Sequence, residues 1–147
     1  MSGMAQIETP PLADQLCFDL YAASRAITAA YRPALAGLGL TYPQYLVLIV
    51  LWEQENCSVR EIADKLRLDY GTLTPLLRRM EVGGFVARHR DHSDERYVVV
   101  SLTAKGDELR RHAAGIHCDM KAALALNEQE FVALQDTLRS LTARVSS

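Results

Sequence analysis

Residues 58–80 read SVREIADKLRLDYGTLTPLLRRM, and they carry the start signals of two short helices. Ser58-Val-Arg-Glu61 has the S-x-x-E spacing of a capping box, in which serine accepts a backbone N–H and the glutamate reaches back. It opens a helix expected to end near Leu66. Asp69 through Val82 reads as a second helix, stopped by Gly83-Gly84. Pro75 has no N–H and is expected in that helix's first turn, where donors are unpaired anyway. Gly71 just before it allows close backbone approach. The period then changes. FVARHR (85–90) and RYVVVSL (96–102) are β-rich runs around the polar tip DHSDE (91–95), which predicts a two-stranded hairpin. Two helices joined by a tight turn and followed by a hairpin make a winged helix-turn-helix. Such a unit places its second helix in the DNA major groove and its hairpin tip on the flanking backbone or minor groove.

Working outward, Thr41-Tyr-Pro-Gln44 has a T-x-x-Q capping spacing and opens an apolar helix through Trp52. Upstream, Leu12, Leu16, Leu20, Ile27, Tyr31, Leu35 and Leu38 recur at helical steps. They predict a long amphipathic helix ending near Gly37 and Gly39, with Pro33 marking a kink or an early stop. Met1 to Pro11 reads as a loose polar lead-in. Downstream, Thr103 caps a helix expected to run to about Ala125, with Leu109, Ile116, Met120 and Leu124 on its apolar side. Asn127 caps the last helix, where Phe131, Leu134, Leu138, Leu141 and Val145 form a narrow seam that wants another helix against it. The expected fold is mainly α with a small β-hairpin. One domain over residues 12–147 holds a winged helix-turn-helix lobe at 41–102, flanked by dimerisation helices at 12–39 and 103–147.

The chain has 147 residues, 49% of them hydrophobic and 23% charged, with a net charge of −2. That composition excludes bulk disorder, and one core can form without staples. The longest apolar stretch, Tyr45 to Trp52, is far short of the ~20 residues a bilayer span needs. The first residues carry neither a basic nor an apolar signal region. Three widely spaced cysteines, Cys17, Cys57 and Cys118, suggest no disulfide framework. The expected location is cytoplasmic, with reduced thiols. The weak net charge supplies no global pull toward nucleic acid, so any anion-binding surface is local. Residues 58–96 carry eight Lys and Arg against seven Asp and Glu.

On the winged unit, Asp69, Tyr70, Thr72 and Thr74 open the second helix, where side chains meet base edges or phosphates. Arg78 and Arg79 can neutralise phosphates. In the hairpin, Arg96 is the residue expected in the minor groove. Arg88, Arg90 and Asp94 are further candidates for the DNA-binding surface of the hairpin, where Asp94 orients Arg96 or pairs with Arg88 or Arg90 across the strands. Singly, each of these is also what a solvated helix or hairpin face carries. The full order of elements is much harder to obtain by chance.

At this level the chain resembles the MarR family of dimeric winged-helix regulators, and more specifically its organic-hydroperoxide-sensing (OhrR-like) repressors. The resemblance runs from about Pro11 to the end. Leu16-Cys-Phe-Asp-Leu-Tyr21, Leu40-Thr-Tyr-Pro-Gln-Tyr-Leu46 and Thr72-Leu-Thr-Pro-Leu-Leu77 carry it, with Asp94-Glu-Arg96 at the wing. It implies a homodimer on a pseudo-palindromic double-stranded operator, induced by an organic hydroperoxide, and not an enzyme.

A peroxide sensor needs a thiolate, the form that attacks the peroxide oxygen to give a sulfenic acid. Cys17 lies near a helix start, where the dipole favours negative charge. Asp14 and Asp19 are its charged neighbours in sequence, so ion pairing cannot activate it and hydrogen bonds from phenols are the remaining route. Tyr21, four residues on, can reach from the same helix. Tyr31 lies about 21 Å further along the axis and can serve Cys17 only from a second, antiparallel chain. The resemblance assigns thiolate hydrogen bonding to Tyr31 and Tyr42 across a dimer interface. It also makes Cys118 the candidate resolving cysteine, by disulfide with Cys17 of the other subunit or else with a small thiol taking that part. The plain alternatives are a buried hydrophobic Cys17 and core aromatics. Cys57 reads as structural. His112, His117 and Cys118, or His89 with His92, lack zinc-motif spacing, and no metal or cofactor is expected. Two further readings stay open: a regulator released by a small phenolic ligand, and a thiol peroxidase that turns over at Cys17.

Overall fold

The computed structural model describes residues 8–146, so the lead-in expected over residues 1–11 falls outside it as far as residue 7. A 3-10 turn at Leu12–Asp14 leads into α1 (Leu16–Ala36) and α2 (Tyr42–Glu53). Next come β1 (Asn56–Ser58), α3 (Val59–Leu66), α4 (Tyr70–Val82), β2 (Val86–Arg90) and β3 (Val98–Leu102). α5 (Ala104–Glu108), α6 (Arg110–Leu124) and α7 (Glu128–Val145) complete the chain. The chain forms two compact units, residues up to Tyr42 and residues from Pro43 on.

In the first unit, α1 continues through Pro33, so no early stop occurs there. Proline removes one ladder bond, and the helix is three residues from its end. It closes where Leu40 N–H donates to the Leu35 carbonyl at 3.0 Å, with Gly39 at φ 74° making the left-handed turn. Leu35 and Leu40 are buried.

The second unit holds a continuous core. α2 buries Tyr45, Val47, Leu48, Val50 and Leu51, because its sequence is apolar on every face. α3 contributes Ile62 and Ala63, α4 contributes Leu73, Leu76, Leu77 and Met80, and the sheet contributes Cys57, Val86 and Val100. α3 packs on α4 and on β1, and α4 packs on β2. The sheet has three antiparallel strands in the order β1-β3-β2, with Cys57 opposite Val100 and Arg88 opposite Val100 on the other side. Sequence reading foresees only two strands. β1 is three residues, Asn-Cys-Ser, too short to show an alternation and held by its pairing to β3.

Three local expectations are corrected. Ser58 Oγ accepts from Glu61 N–H at 3.0 Å, but the reciprocal half of the box gives way to a bond from Gln54 Nε2 to the Glu61 carboxylate at 3.0 Å. Pro75 is not in the first turn of α4. The helix starts at Tyr70, so Pro75 sits in the second turn and leaves the Gly71 carbonyl without its ladder donor. The helix expected from Thr103 to Ala125 is two helices broken at Leu109. Thr103 caps the first through Gly106 N–H, as expected. The Gly106 carbonyl then accepts the Trp52 indole N–H at 3.1 Å, although an uninterrupted ladder would give it to the Arg110 N–H. Arg110 Nη2 in turn donates to the Trp52 carbonyl. Gly106 is required there: a Cβ would lie 2.2 Å from the Phe85 carbonyl oxygen. Asn127 caps α7 as expected, and the structure adds the reciprocal bond from Glu130 that completes a capping box.

Candidate functional site

The candidate residues fall into two sets, one in each unit. In the second unit, α4 turns Leu73, Leu76, Leu77 and Met80 into the core, which puts Tyr70, Thr72, Arg78 and Arg79 outside. Tyr70 is 54% exposed, while Thr74 is half-buried. Asp69 stands at the head of the helix as its cap, with Oδ1 accepting from Thr72 N–H at 2.7 Å. Its carboxylate meets the positive helix end and satisfies an orphan donor.

The wing is organised by its own acids. Asp94 takes a two-pronged bond from Arg96, Nε to Oδ1 at 3.0 Å and Nη2 to Oδ2 at 2.8 Å. The Arg96 side chain nevertheless remains 85% exposed, so the pair presents the guanidinium outward. Arg96's hydrogen bonds hold the Asp94 carboxyl below the usual carboxylate range, and the same contact raises the guanidinium. Asp91 accepts from the Ser93 backbone N–H and hydroxyl, which also lowers its carboxyl. Arg90 Nη1 donates to the Glu95 carbonyl at 2.8 Å and closes the tip. Arg88 does something else: its Nε meets Glu81 Oε2 at 3.1 Å and ties the wing to the last turn of α4. That contact lowers the Glu81 carboxyl.

Between the wing and the helices lies a cleft of about 400 Å³ lined by Ser58, Val59, Arg60, Tyr70, Thr74, Arg88, Arg96, Tyr97 and Val98. Sequence reasoning names Tyr70, Thr74, Arg88 and Arg96 from this set and misses Arg60 and Tyr97. The available signal was the cap at Ser58, which puts Arg60 in the first turn of α3.

In the first unit, Cys17 is the second residue of α1 and is exposed. Tyr21, one turn on, lies under the Arg25 guanidinium at 5.6 Å from its ring centroid. Tyr31 and Tyr42 are brought together, with ring centroids 4.6 Å apart at a 36° tilt. Burial pushes both phenols up from their ordinary range, and Tyr31 adds to the effect on Tyr42. Both therefore stay protonated at neutral pH and can donate to an anion. Cys17 is not brought to this pair within its own helix, since about 21 Å of axis separates it from Tyr31. Cys57 is buried in β1, its Sγ donating to the Gln54 carbonyl at 3.3 Å. Burial pushes that thiol up, which keeps it unreactive. Cys118, on α6, is exposed. No helix among the described residues is long and apolar enough to cross a membrane.

Residues 40–98 match the profile described as MarR family. The HTH-type transcriptional regulator TtmR of Methylorubrum extorquens (strain PA1) is 47% identical over 141 residues, spanning 96% of this chain and 72% of its own length. The organic hydroperoxide resistance transcriptional regulator of Bacillus subtilis (strain 168) is 50% identical over 105 residues, 71% of each chain. Among solved structures, reduced AbfR bound to DNA is similar with a TM-score of 0.75 at 32% identity, over 91% of this chain and 94% of that one. Disulfide-formed AbfR matches with a TM-score of 0.62 at 38% identity, over 88% and 91%.

Proposed function

The chain belongs to the MarR family of DNA-binding transcriptional regulators, and from that premise we propose that it is a homodimeric repressor that releases its operator when an organic hydroperoxide oxidises Cys17. The observation that carries this reading is that the unit with an exposed helix-start cysteine also holds the contacting, mutually tilted phenols of Tyr31 and Tyr42. A second copy brings its Tyr31 and Tyr42 to Cys17, and their hydroxyls donate to the thiolate and lower its pKa. The thiolate sulfur attacks the peroxide, the O–O bond breaks, and the alkoxide leaves to take a proton as the alcohol. Cys17 is then a sulfenic acid. The Cys118 thiol of the second copy displaces hydroxide from that sulfur, which forms the disulfide and releases water. The B. subtilis relative's name and the reduced, DNA-bound and disulfide-formed states of AbfR support this reading.

DNA binding falls to α4 and the wing. Tyr70, Thr72 and Thr74 face base edges, Arg78, Arg79 and Arg90 face phosphates, and the Asp94-oriented Arg96 enters the minor groove. Two half-sites about one helical turn apart match the dimer's two-fold symmetry. The deciding experiment is release of an operator duplex by tert-butyl hydroperoxide. Cys17→Ser is expected to bind as wild type does and to stay bound at the dose that releases wild type, because a hydroxyl cannot become a sulfenic acid. Release of that variant at the wild-type dose removes Cys17 from the mechanism.

A further inference from the structure

We propose that Arg60 is the phosphate anchor of the cleft between α3, α4 and the wing, and that Arg88, in the same cleft, is not. The inference rests on the DNA-binding role of the family and is independent of peroxide sensing. Three guanidinium groups line this cleft of about 400 Å³: Arg60, Arg88 and Arg96. Their circumstances differ. Arg88 is held by both Glu81 oxygens, at 3.1 and 3.4 Å, so its charge is balanced and its geometry is spent on joining β2 to α4. Arg96 is oriented outward by Asp94. Arg60 is exposed and, among the described residues, has no carboxylate partner.

The walls complete the argument. Tyr70 and Thr74 come from the helix that carries the base-facing residues, and Tyr97 from the wing. A duplex whose major groove holds α4 and whose minor groove takes the wing tip must run its backbone across the space between them. A backbone there passes the mouth of this cleft. The unbalanced cation in it is Arg60, and a guanidinium suits a phosphate because its donors bind two oxygens at once. Bringing Arg88 to the same phosphate would require giving up Glu81, a like-for-like exchange that releases no counterion. Arg60 displaces condensed cations and so contributes to the salt dependence of binding.

The test is the slope of log affinity against log salt, measured by fluorescence anisotropy on reduced protein. Two probes are used: a mixed-sequence duplex and a duplex enriched from a random pool by the wild-type protein. Arg60→Gln is expected to lower the slope by about one per protomer on both probes, without changing which sequence is preferred. Arg60→Lys is expected to keep the wild-type slope, which shows that charge and not packing is measured. Arg88→Ala is expected to leave the slope unchanged. An unaltered slope in Arg60→Gln overturns the proposal, as does a slope that falls in Arg88→Ala. Because the protein is reduced throughout, either outcome stands apart from whether Cys17 senses peroxide.

Discussion

At the scale of single residues, the proposed sensing chemistry turns on phenols that remain donors. Burial holds Tyr31 and Tyr42 above the ordinary phenol range, so neither loses its proton over the pH interval in which a thiol titrates. Tyr31→Phe and Tyr42→Phe are each expected to raise the Cys17 pKa and slow its oxidation while leaving operator affinity near wild type. Each removes a hydrogen bond to a charged group, worth on the order of 1.5–3 kcal/mol, or about one to two pKa units. Thiolate absorbance titration and the oxidation rate check this, and an unchanged titration in both variants reduces the tyrosines to packing. The grouping of Cys17 with Tyr31 and Tyr42 came from the family resemblance and not from spacing, which puts about 21 Å of helix between Cys17 and Tyr31; the structure adds only that the two tyrosine rings meet. The partner of Arg88 was not legible in the sequence. Glu81 and Arg88 belong to α4 and β2, and only the turn at Gly83-Gly84 brings them face to face. Arg60 escaped notice for the complementary reason, since nothing in sequence separates a solvated arginine from one on the rim of a cleft.

At the scale of elements, capping decides where α4 begins and how its first residues are aimed. Asp69 Oδ1 holds Thr72 N–H at 2.7 Å, so the acid's work is local. Asp69→Ala is expected to cost about 1 kcal/mol of stability and weaken DNA binding, while Asp69→Asn, an equally good cap, keeps both near wild type. Thermal unfolding and duplex titration read the two variants side by side. If Asp69→Asn loses sequence preference at normal stability, the carboxylate contacts DNA itself. Helix starts were readable in sequence where the cap has no rival, as at Asn127. They were half-readable at Ser58, where Gln54 from outside the helix claims the glutamate. The break at Leu109 could not be read, because its cause is an indole 54 positions away in sequence.

At the scale of the whole molecule, the long helices present apolar faces to solvent. On α1, Leu16, Phe18, Leu20 and Ile27 are exposed, and on α7, Val132, Leu134 and Leu138. The sequence announces such seams through periodicity and leaves open only what covers them. A second copy is the occupant in the proposed repressor. Leu138→Glu is accordingly expected to shift the protein to monomer in sedimentation and to weaken operator binding by orders of magnitude, since one lobe then holds one half-site. A dimer of unchanged stability with that substitution places the interface elsewhere. The joint at Gly106 has a practical consequence. The chain holds one tryptophan, and it is Trp52, whose indole N–H ends on the Gly106 carbonyl while its own carbonyl takes the Arg110 side chain. An indole's emission follows the polarity and hydrogen bonding around its ring. The protein thus carries an unlabelled optical gauge at the seam of α2, α5 and α6, and its colour reports directly whether that seam opens.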